Sequence, residues 1–316
     1  MKWQPAFYAF ALLQLVSGAT VAVKKPSTSD IATLGYATLN GGTTGGLKGT
    51  TTTVTTLAEL KAAVAGNNKK IVMVSGTITG ATVVRVGDNT SIIGKTGSSL
   101  VGVGLRVLDA TNVIIRNVKI SKVLASSGDA LAIQNSKQVW VDHVDLSSDK
   151  NNGKDFYDGL LDITHGSTGV TVTSSKLSNH FKAMLIGHSD TNGAEDKKIT
   201  VTLANNLWSG LNSRTPSFRF GTGHLFNNFF EKNVDGINTR KGAQLLVENN
   251  VWTGTSKPLF AEGGFAVARG NDFGGVNFKN AVATGTFTKA PYAYTLLAVG
   301  AVKAAVTKDA GQTLTF

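Results

Sequence analysis

Cysteine is absent from this sequence, and charged and aromatic residues are few. The absence of cysteine excludes disulfide bonds, thiolate metal sites and thiol nucleophiles. Charged residues make up 16% and aromatic residues 8% of the 316 positions. Beyond the N-terminal segment no apolar run approaches the length of a membrane span, so no membrane partner is expected. Because disulfide bonds are excluded, the folded state must be stabilised by a large core, which a chain of this length can build.

Basic residues outnumber acidic residues. The chain has 31 Lys and Arg against 20 Asp and Glu, which gives a net charge of +11 and an isoelectric point near 9.7. Such a surface favours an acidic partner, which is nucleic acid, an anionic membrane or an acidic polysaccharide. Nucleic acid is disfavoured because no basic run is interleaved with aromatic residues.

The N-terminus is typical of a secretory signal peptide. The apolar stretch "AFYAFALLQLVSGA" follows Lys2 and ends with small residues at Ala19, and "TVA" ending at Ala22 offers a second cleavage point. A buried N-terminal helix is the alternative. We predict a signal peptide at 1–19, a mature domain at 20–316, and a secreted, extracellular protein. One sequon, at Asn89, predicts a glycosylation site.

Short β-type runs recur along the chain. They begin at Val113, Val139, Val170, Val201, Gly223, Leu245 and Ala266, at spacings of 26, 31, 31, 22, 22 and 21 residues. A unit of about 22 residues with insertions is typical of a coiled solenoid. We therefore predict an all-β chain folded as a single-stranded, right-handed parallel β-helix. An open parallel sheet is the rival, and it is disfavoured because few helical segments separate the strands.

Smaller patterns fit these coils. Thr56 and Glu59 form a capping box that starts a helix over 56–66, which is expected to cap the N-terminal end. Irregular insertions at 148–157 and 187–197 are expected to lie outside the coils. Aromatic residues and asparagine pairs recur at fixed positions in the units and predict two internal ladders. The aromatic ladder is Trp208, Phe230, Trp252 and Phe273, and the asparagine pairs are 205/206, 227/228 and 249/250.

Three aspartates form a candidate metal site. Asp158 and Asp162 are four residues apart, so in a strand they would share one face, which is expected to be the solvent face. Asp129 lies about one coil earlier, so stacking would bring all three together. Carboxylate oxygens without His or Cys suit calcium. The alternative is that the three are solvated surface charges.

Three cations follow in the next segments. Arg214 and Arg219 are five residues apart on either side of Pro216, and Lys182 lies upstream. Ion pairing at the surface is the usual role of such arginines. It is disfavoured here because no acidic residue occurs within 212–223.

Three segments resemble secreted fungal pectate lyases: "GYATLNGGTTGGLKG" (35–49), "VWVDH" (139–143) and "NSRTPSFR" (212–219). The resemblance extends from about Gly35 to the C-terminal "AGQTLTF". It implies a β-helix enzyme that cleaves polygalacturonate, the acidic polymer of plant cell-wall pectin, by calcium-assisted β-elimination. An endo-acting monomer is expected.

The resemblance also implies roles for individual residues. Arg214 is implied as the catalytic base, and Lys182 and Arg219 as binders of substrate carboxylates. Calcium (Ca2+) is implied as the cofactor, with ligands Asp129, Asp158 and Asp162. Some relatives have Asp-Gly-Asp where this chain has Ser127-Gly128-Asp129, so one carboxylate is missing and calcium is expected to bind more weakly without substrate.

Alternatives remain open from the residues alone. Arginine is an unusual base because it is normally protonated, so a water or hydroxide positioned by Arg214 is one alternative. A pectin lyase acting on methyl esters and a non-catalytic polyanion-binding module are two others. A hydrolase is disfavoured because paired acids are missing. The five histidines are expected to be structural, although His143 with Asp142 could support the site from a neighbouring position.

Overall fold

The strands of the computed structural model, which describes residues 25–276 and 282–316, pair in parallel with strands about one repeat away. Parallel strands that follow one another along a chain are joined by right-handed connections in nearly all proteins. The described chain therefore forms the predicted right-handed parallel β-helix. The predicted signal peptide at 1–19 lies outside the described residues.

One face of the β-helix is a sheet that we call the back sheet. Its strands in spatial order are β1 (Thr50–Val54), β2 (Lys70–Val74), β4 (Thr90–Gly94), β6 (Thr111–Arg116), β9 (Lys137–Asp142), β12 (Thr168–Thr173), β15 (Thr200–Ala204), β18 (Thr222–Phe226), β21 (Gln244–Glu248), β24 (Phe265–Arg269) and β25 (Ala283–Thr284).

The other two faces meet at two long strands, β3 (Thr77–Val86) and β5 (Ser99–Leu108). The side arm contains β7 (Lys119–Ser121), β10 (Asp145–Ser147), β13 (Lys176–Lys182), β16 (Leu207–Ser213), β19 (Phe229–Glu231) and β22 (Val251–Thr253). The front arm contains β8 (Leu131–Gln134), β11 (Leu161–Thr164), β14 (Leu185–Ile186), β17 (Ser217–Arg219), β20 (Ile237–Arg240) and β23 (Leu259–Glu262). The helical segments are a 3-10 turn (Tyr36–Thr38) and the helices α1 (Leu57–Ala63), α2 (Gly193–Asp196) and α3 (Val299–Asp309).

The predicted repeat is confirmed residue by residue. Val113 pairs with Val139, Val139 with Val170, and Val170 with Val201. The later repeat starts pair in the same register up to Ala266. The equal register shows that the insertions change the length of a coil without shifting the back sheet.

Both predicted ladders are present. Phe230 stacks between Trp208 and Trp252 with ring centroids 5.5 and 4.7 Å away, and Phe273 continues the stack. Each such ring pair contributes about 1 kcal/mol beyond its burial. In each asparagine pair the first residue takes the left-handed backbone conformation, with φ of 60° at Asn205. The second members, with Asn271 as a further member, are joined by amide hydrogen bonds from side chain to side chain.

The chain ends cover two of the three faces. On the outside of the back sheet, Ala32 and Ala37 pack against Ile114 and Trp140. On the outside of the side arm, Val302 and Val306 of α3 pack against Phe229, Leu207 and Val251. The front arm instead carries polar and charged residues on its outer surface, among them Arg219, Arg240 and Glu262. No terminal segment in the described part of the chain covers this face, so a ligand can approach it.

The predicted capping helix is confirmed as α1. Thr56 and Glu59 make both hydrogen bonds of the capping box, and the helix is shorter than the predicted 56–66. It packs against the first strands, β1 to β3. None of the helices in the described part of the chain has the length and apolarity that crossing a bilayer requires.

Candidate active site

Two of the three predicted metal ligands meet at the start of the front arm. Leu131 of β8 pairs with Leu161 of β11, which sets Asp129 beside Gly159 on the next coil. Asp129 Oδ1 accepts a hydrogen bond of 2.9 Å from the Gly159 N–H. A Cβ at Gly159 would lie 2.6 Å from Asp162 Oδ1 and 2.8 Å from Asp129 Oδ1. The two carboxylates therefore converge, and the contact requires glycine between them.

Burial opposes ionisation of both carboxylates. Burial and the nearby Asp158 charge raise the pKa of Asp129 to about 6. Burial and the Asp129 charge raise the pKa of Asp162 well above its usual value. Asp162 is only 8% exposed and its Oδ1 accepts the Leu185 N–H at 2.9 Å, so the expectation that it faces solvent is wrong. A cation placed between these groups would favour the charged forms of both.

Asp158 also lies near this region, but it precedes β11 and is not in a strand. The prediction that Asp158 and Asp162 share one face of a strand is therefore wrong. Its carboxylate accepts from Lys182 Nζ at 3.1 Å. Its backbone carbonyl accepts from His180 Nε2 at 2.5 Å, and the other ring nitrogen of His180 bonds to the Ser148 hydroxyl. His180 is a buried positioning residue, in line with the structural role expected of the histidines, although its contact with Asp158 was not predicted.

The donor set fits calcium in part. Across the described ranges, no group of three or more Asp, Glu and His side chains is arranged to hold a metal ion. Asp129 and Asp162 supply two converging carboxylates, whereas Asp158 is turned toward Lys182. Calcium takes six to eight oxygen ligands and accepts carbonyls, waters and carboxylates from other molecules. The residues present fit a calcium ion whose shell is completed from outside the protein.

Arg214 follows β16 at the junction between the side arm and the front arm. Its backbone has φ of 59°, in the left-handed region that is uncommon for such a residue. The Arg214 carbonyl accepts the Met184 N–H at 2.8 Å, and its N–H bonds to Asp235. Asp235 also accepts from the Thr215 hydroxyl at 2.7 Å. These contacts hold the backbone at Arg214 in place, and Asp235 is a second positioning residue that was not predicted.

The two arginines of the segment differ in their partners. Among the described residues, the Arg214 guanidinium makes no hydrogen bond or ion pair, although its charge lowers the pKa of Asp129 and Asp162. Arg219 Nε lies 2.6 Å from Asp190 Oδ1. The expectation that Arg219 has no carboxylate to pair with is therefore wrong. Its partner, Asp190, belongs to the insertion at 187–197, one coil earlier.

Asp142 and His143 do not support this site. They lie in and after β9 of the back sheet, where Asp142 Oδ2 is 2.7 Å from Arg116 Nε. The ring nitrogens of His143 lie 2.8 Å from Asp142 Oδ2 and 3.4 Å from Asp309 Oδ2. This buried group ties α3 to the back sheet, so its role is structural.

The front arm thus combines three features on its open side. Two buried carboxylates converge near Arg214, which has no charged partner in the described part of the chain. Lys182 stands next to Asp158, and Arg219 stands at the end of β17 next to Asp190. Such a surface can bind a substrate that carries several carboxylates. It can also stabilise negative charge that develops when a proton next to a carboxylate is removed.

Comparisons with known proteins agree with this chemistry. A model of the pectate lyase family matches residues 9–314. A probable pectate lyase A of Aspergillus fumigatus is 55% identical over 302 residues, which cover 94% of both chains. Pectate lyase A of Aspergillus niger is 51% identical over 100% of this chain and 99% of its own.

Solved structures share the fold. A pectate lyase of Bacillus sp. N165, in complex with trigalacturonate, is 32% identical and superposes with a TM-score of 0.82 over 89% of this chain and 98% of its own. A pectate lyase bound to a hexasaccharide has the same fold, with a TM-score of 0.81 at 20% identity over 93% of this chain and 99% of its own.

Proposed function

The chain belongs to the pectate lyase family and is a polysaccharide lyase, and we propose that its front arm carries out calcium-assisted β-elimination on (1→4)-α-D-galacturonan. The observation that carries the proposal is the convergence of Asp129 and Asp162 near Arg214, whose guanidinium has no hydrogen-bond or ion-pair partner within residues 25–276 and 282–316. The reaction removes the proton at C5 of a galacturonate, and the electron pair of that C–H bond forms the C4–C5 double bond as the C4–O4 bond breaks. O4 leaves with the electrons of that bond and takes up a proton to become a hydroxyl of the departing chain, which leaves a 4,5-unsaturated sugar.

Lys182 and Arg219 bind and orient the substrate carboxylates. Both side chains are largely buried along their stems, at 15% and 13% exposure, so their charged ends are held in place before the substrate arrives. A rigid pair of cations fixes the C5 proton relative to the base and lowers the cost of ordering the sugar. Trp140 is buried with Ala32 and Ala37, so it does not offer an aromatic surface that could bind a neutral, methyl-esterified sugar.

Arg214 acts as the base for the C5 proton, a step that requires its side chain in the neutral guanidine form. Its side chain has no competing partner among the described residues, and its backbone is fixed by Met184 and Asp235. Asp129, Asp158 and Asp162 are the residues that would hold calcium. When bound, calcium would neutralise the substrate carboxylate and so make the adjacent C5 proton more acidic. A substrate carboxylate that completes the metal shell agrees with the two-carboxylate arrangement at Gly159.

Further properties belong to this proposal. We infer that the enzyme is secreted through the predicted signal peptide at 1–19, acts outside the cell as a monomer, and cleaves within the polymer. Glycosylation at Asn89 stays a prediction. The Asn89 amide donates to the Asn67 carbonyl at 2.9 Å, so a glycan there would have to retain or replace this contact.

Turnover of polygalacturonate with and without a chelator tests the reaction. The unsaturated product absorbs in the ultraviolet, so its appearance separates a lyase from a hydrolase. We expect excess chelator to stop product formation and added calcium to restore it. Full activity in excess chelator would contradict the metal role, and chain shortening without absorbance would contradict elimination.

A further inference from the structure

The two irregular insertions each place an exposed aspartate against the front arm. The insertion at 148–157 precedes β11, and the insertion at 187–197 follows β14, so they approach the same face from opposite edges. Asp155 belongs to the first and Asp190 to the second. Neither aspartate is part of the converging pair described above.

Asp155 binds the first of the two substrate-binding cations. Its Oδ1 lies 3.0 Å from Lys182 Nζ. The Asp155 side chain is 71% exposed whereas Lys182 is 15% exposed, so the contact joins an exposed carboxylate to a largely buried lysine. The hydrogen bond from Lys182 lowers the pKa of Asp155 and so favours the ionised carboxylate.

Asp190 binds the second cation in the same way. Its Oδ1 lies 2.6 Å from Arg219 Nε, and it is also 3.5 Å from Arg240 Nη2. Its other oxygen is 3.4 Å from Lys241 Nζ. The Asp190 side chain is 43% exposed and Arg219 is 13% exposed. Hydrogen bonding to Arg219 lowers the pKa of Asp190.

We propose that Asp155 and Asp190 act as internal substitutes for substrate carboxylates, which pectate must displace from Lys182 and Arg219 in order to bind. The proposal rests on the proposed function, because it takes these two cations to be the substrate-binding groups. The contrast with Arg214 supports it, because within the described residues that guanidinium has no carboxylate partner.

The energetics of exposed ion pairs make displacement feasible. Ion pairs with one exposed partner are weak because water and salt screen them. A polymer that brings several carboxylates together can replace both aspartates at once, and binding the first favours the second. A sugar whose carboxylate is esterified cannot replace either one. The two aspartates therefore lower affinity for all substrates but reduce it most for partly neutral polymers.

A competing role and a positioning role of the two aspartates predict changes in KM of opposite sign. If the aspartates compete with substrate, removing their charge strengthens binding in the ground state and the transition state alike, so KM falls and kcat is unchanged. If they orient the cations, removing their charge raises KM. We expect Asp155→Asn and Asp190→Asn each to lower KM for polygalacturonate about two- to fivefold.

Asp109→Asn is the matched control. Asp109 pairs with the exposed Arg85 at 3.3 Å, outside the two insertions, so this variant changes the net charge equally without freeing Lys182 or Arg219. Its KM should stay within the error of the parent value. An equal drop in KM in the control would assign the effect to total charge and overturn the proposal.

Lys182→Ala and Arg219→Ala separate this proposal from the proposed function. If these variants do not raise KM, the assignment of the substrate-binding cations fails. If they raise KM while Asp155→Asn leaves it unchanged or raises it, only the competition fails. Asp155→Asn provides the cleaner test because Asp155 contacts neither Arg240 nor Lys241, and it removes one of the two carboxylates at Lys182 while Asp158 stays at 3.1 Å. The melting temperature of this variant should equal that of the parent.

Discussion

Arg214 owes its availability to its backbone. The left-handed conformation is held by the Met184 N–H on one side and by Asp235 on the other. Five residues later, Arg219 lies at the end of β17 and meets Asp190. Two arginines of one short segment therefore have different surroundings: Arg219 has a carboxylate partner, and the Arg214 guanidinium has none among the described residues.

Replacement of Arg214 by lysine tests its role as base. Lysine keeps the charge but loses the planar guanidinium and its reach. We expect kcat on polygalacturonate to fall by about 100-fold or more, the range that a general base contributes. The melting temperature should hardly change, because the side chain has no hydrogen-bond partner among the described residues. Arg85→Lys is the control, since that arginine is exposed and pairs with Asp109. Retention of most activity by Arg214→Lys would refute the assignment.

The location of the site could be predicted better than its contacts. The positions of Asp129 and Asp162 on adjacent coils follow from the repeat, because register fixes which residues are neighbours. The partners of Lys182 and Arg219 could not be predicted. Asp155 and Asp190 are 27 and 29 residues away, in insertions that the repeat does not place. The one indication of these contacts in the sequence was that each insertion contains an acidic residue that could pair with a cation.

At the scale of elements, α3 is attached to the β-helix by apolar packing and by one charged contact. Val302 and Val306 pack on the side arm, and Asp309 at the end of the helix faces His143 on the back sheet. Burial lowers the pKa of His143, but Asp142 and Asp309 outweigh it and raise the pKa to about 9. The charged form of His143 therefore stabilises the folded state.

This contact predicts a loss of stability at alkaline pH. Because the folded pKa is raised from 6.5, the contribution of His143 is fully present below pH 6.5 and is lost as pH rises through about 9. The loss should be roughly 1–3 kcal/mol, with the lower value reflecting the exposure of Asp309. His143→Gln should have a smaller alkaline fall in melting temperature than the parent, and His188→Gln, at an exposed position, should behave as the parent. Equal falls in all three proteins would disprove this account.

The coil pattern was predictable because its signals are local and repeated. Val113 and its counterparts pair as the spacing indicated, and the aromatic and asparagine ladders follow from the same period. The packing of the chain ends was not predictable. Val302 and Ala32 meet their partners over long sequence separations, and no repeat relates those segments to the coils.

At the scale of the whole molecule, the net charge of +11 acts together with the front arm, which no terminal segment among the described residues covers. A positive field draws a polyanion to the protein, and the covered back sheet and side arm leave the front arm as the face where it can dock. Affinity should therefore depend on the charge density of the polymer as well as on the contacts of individual sugars.

Rates should fall steadily as the methyl esterification of the polymer rises. An ester removes the charge that Lys182, Arg219 and the metal need from the substrate. Binding should also weaken with added salt, because screening shortens the range of the positive field. A series of pectins of graded esterification, assayed at fixed calcium and two salt concentrations, measures both effects. A higher rate on highly esterified pectin that is insensitive to chelator would indicate a pectin lyase instead.

The constant register of the back sheet has a consequence for how such an enzyme can change over evolutionary time. Coils of 22 and 31 residues pair in one register, and the additional residues emerge at the borders of the front arm. Mutations that lengthen or replace these borders leave the ladders intact. Specificity can therefore diverge between lineages while the scaffold stays under stabilising selection, and segments exchanged between relatives at these borders should be accepted as modules.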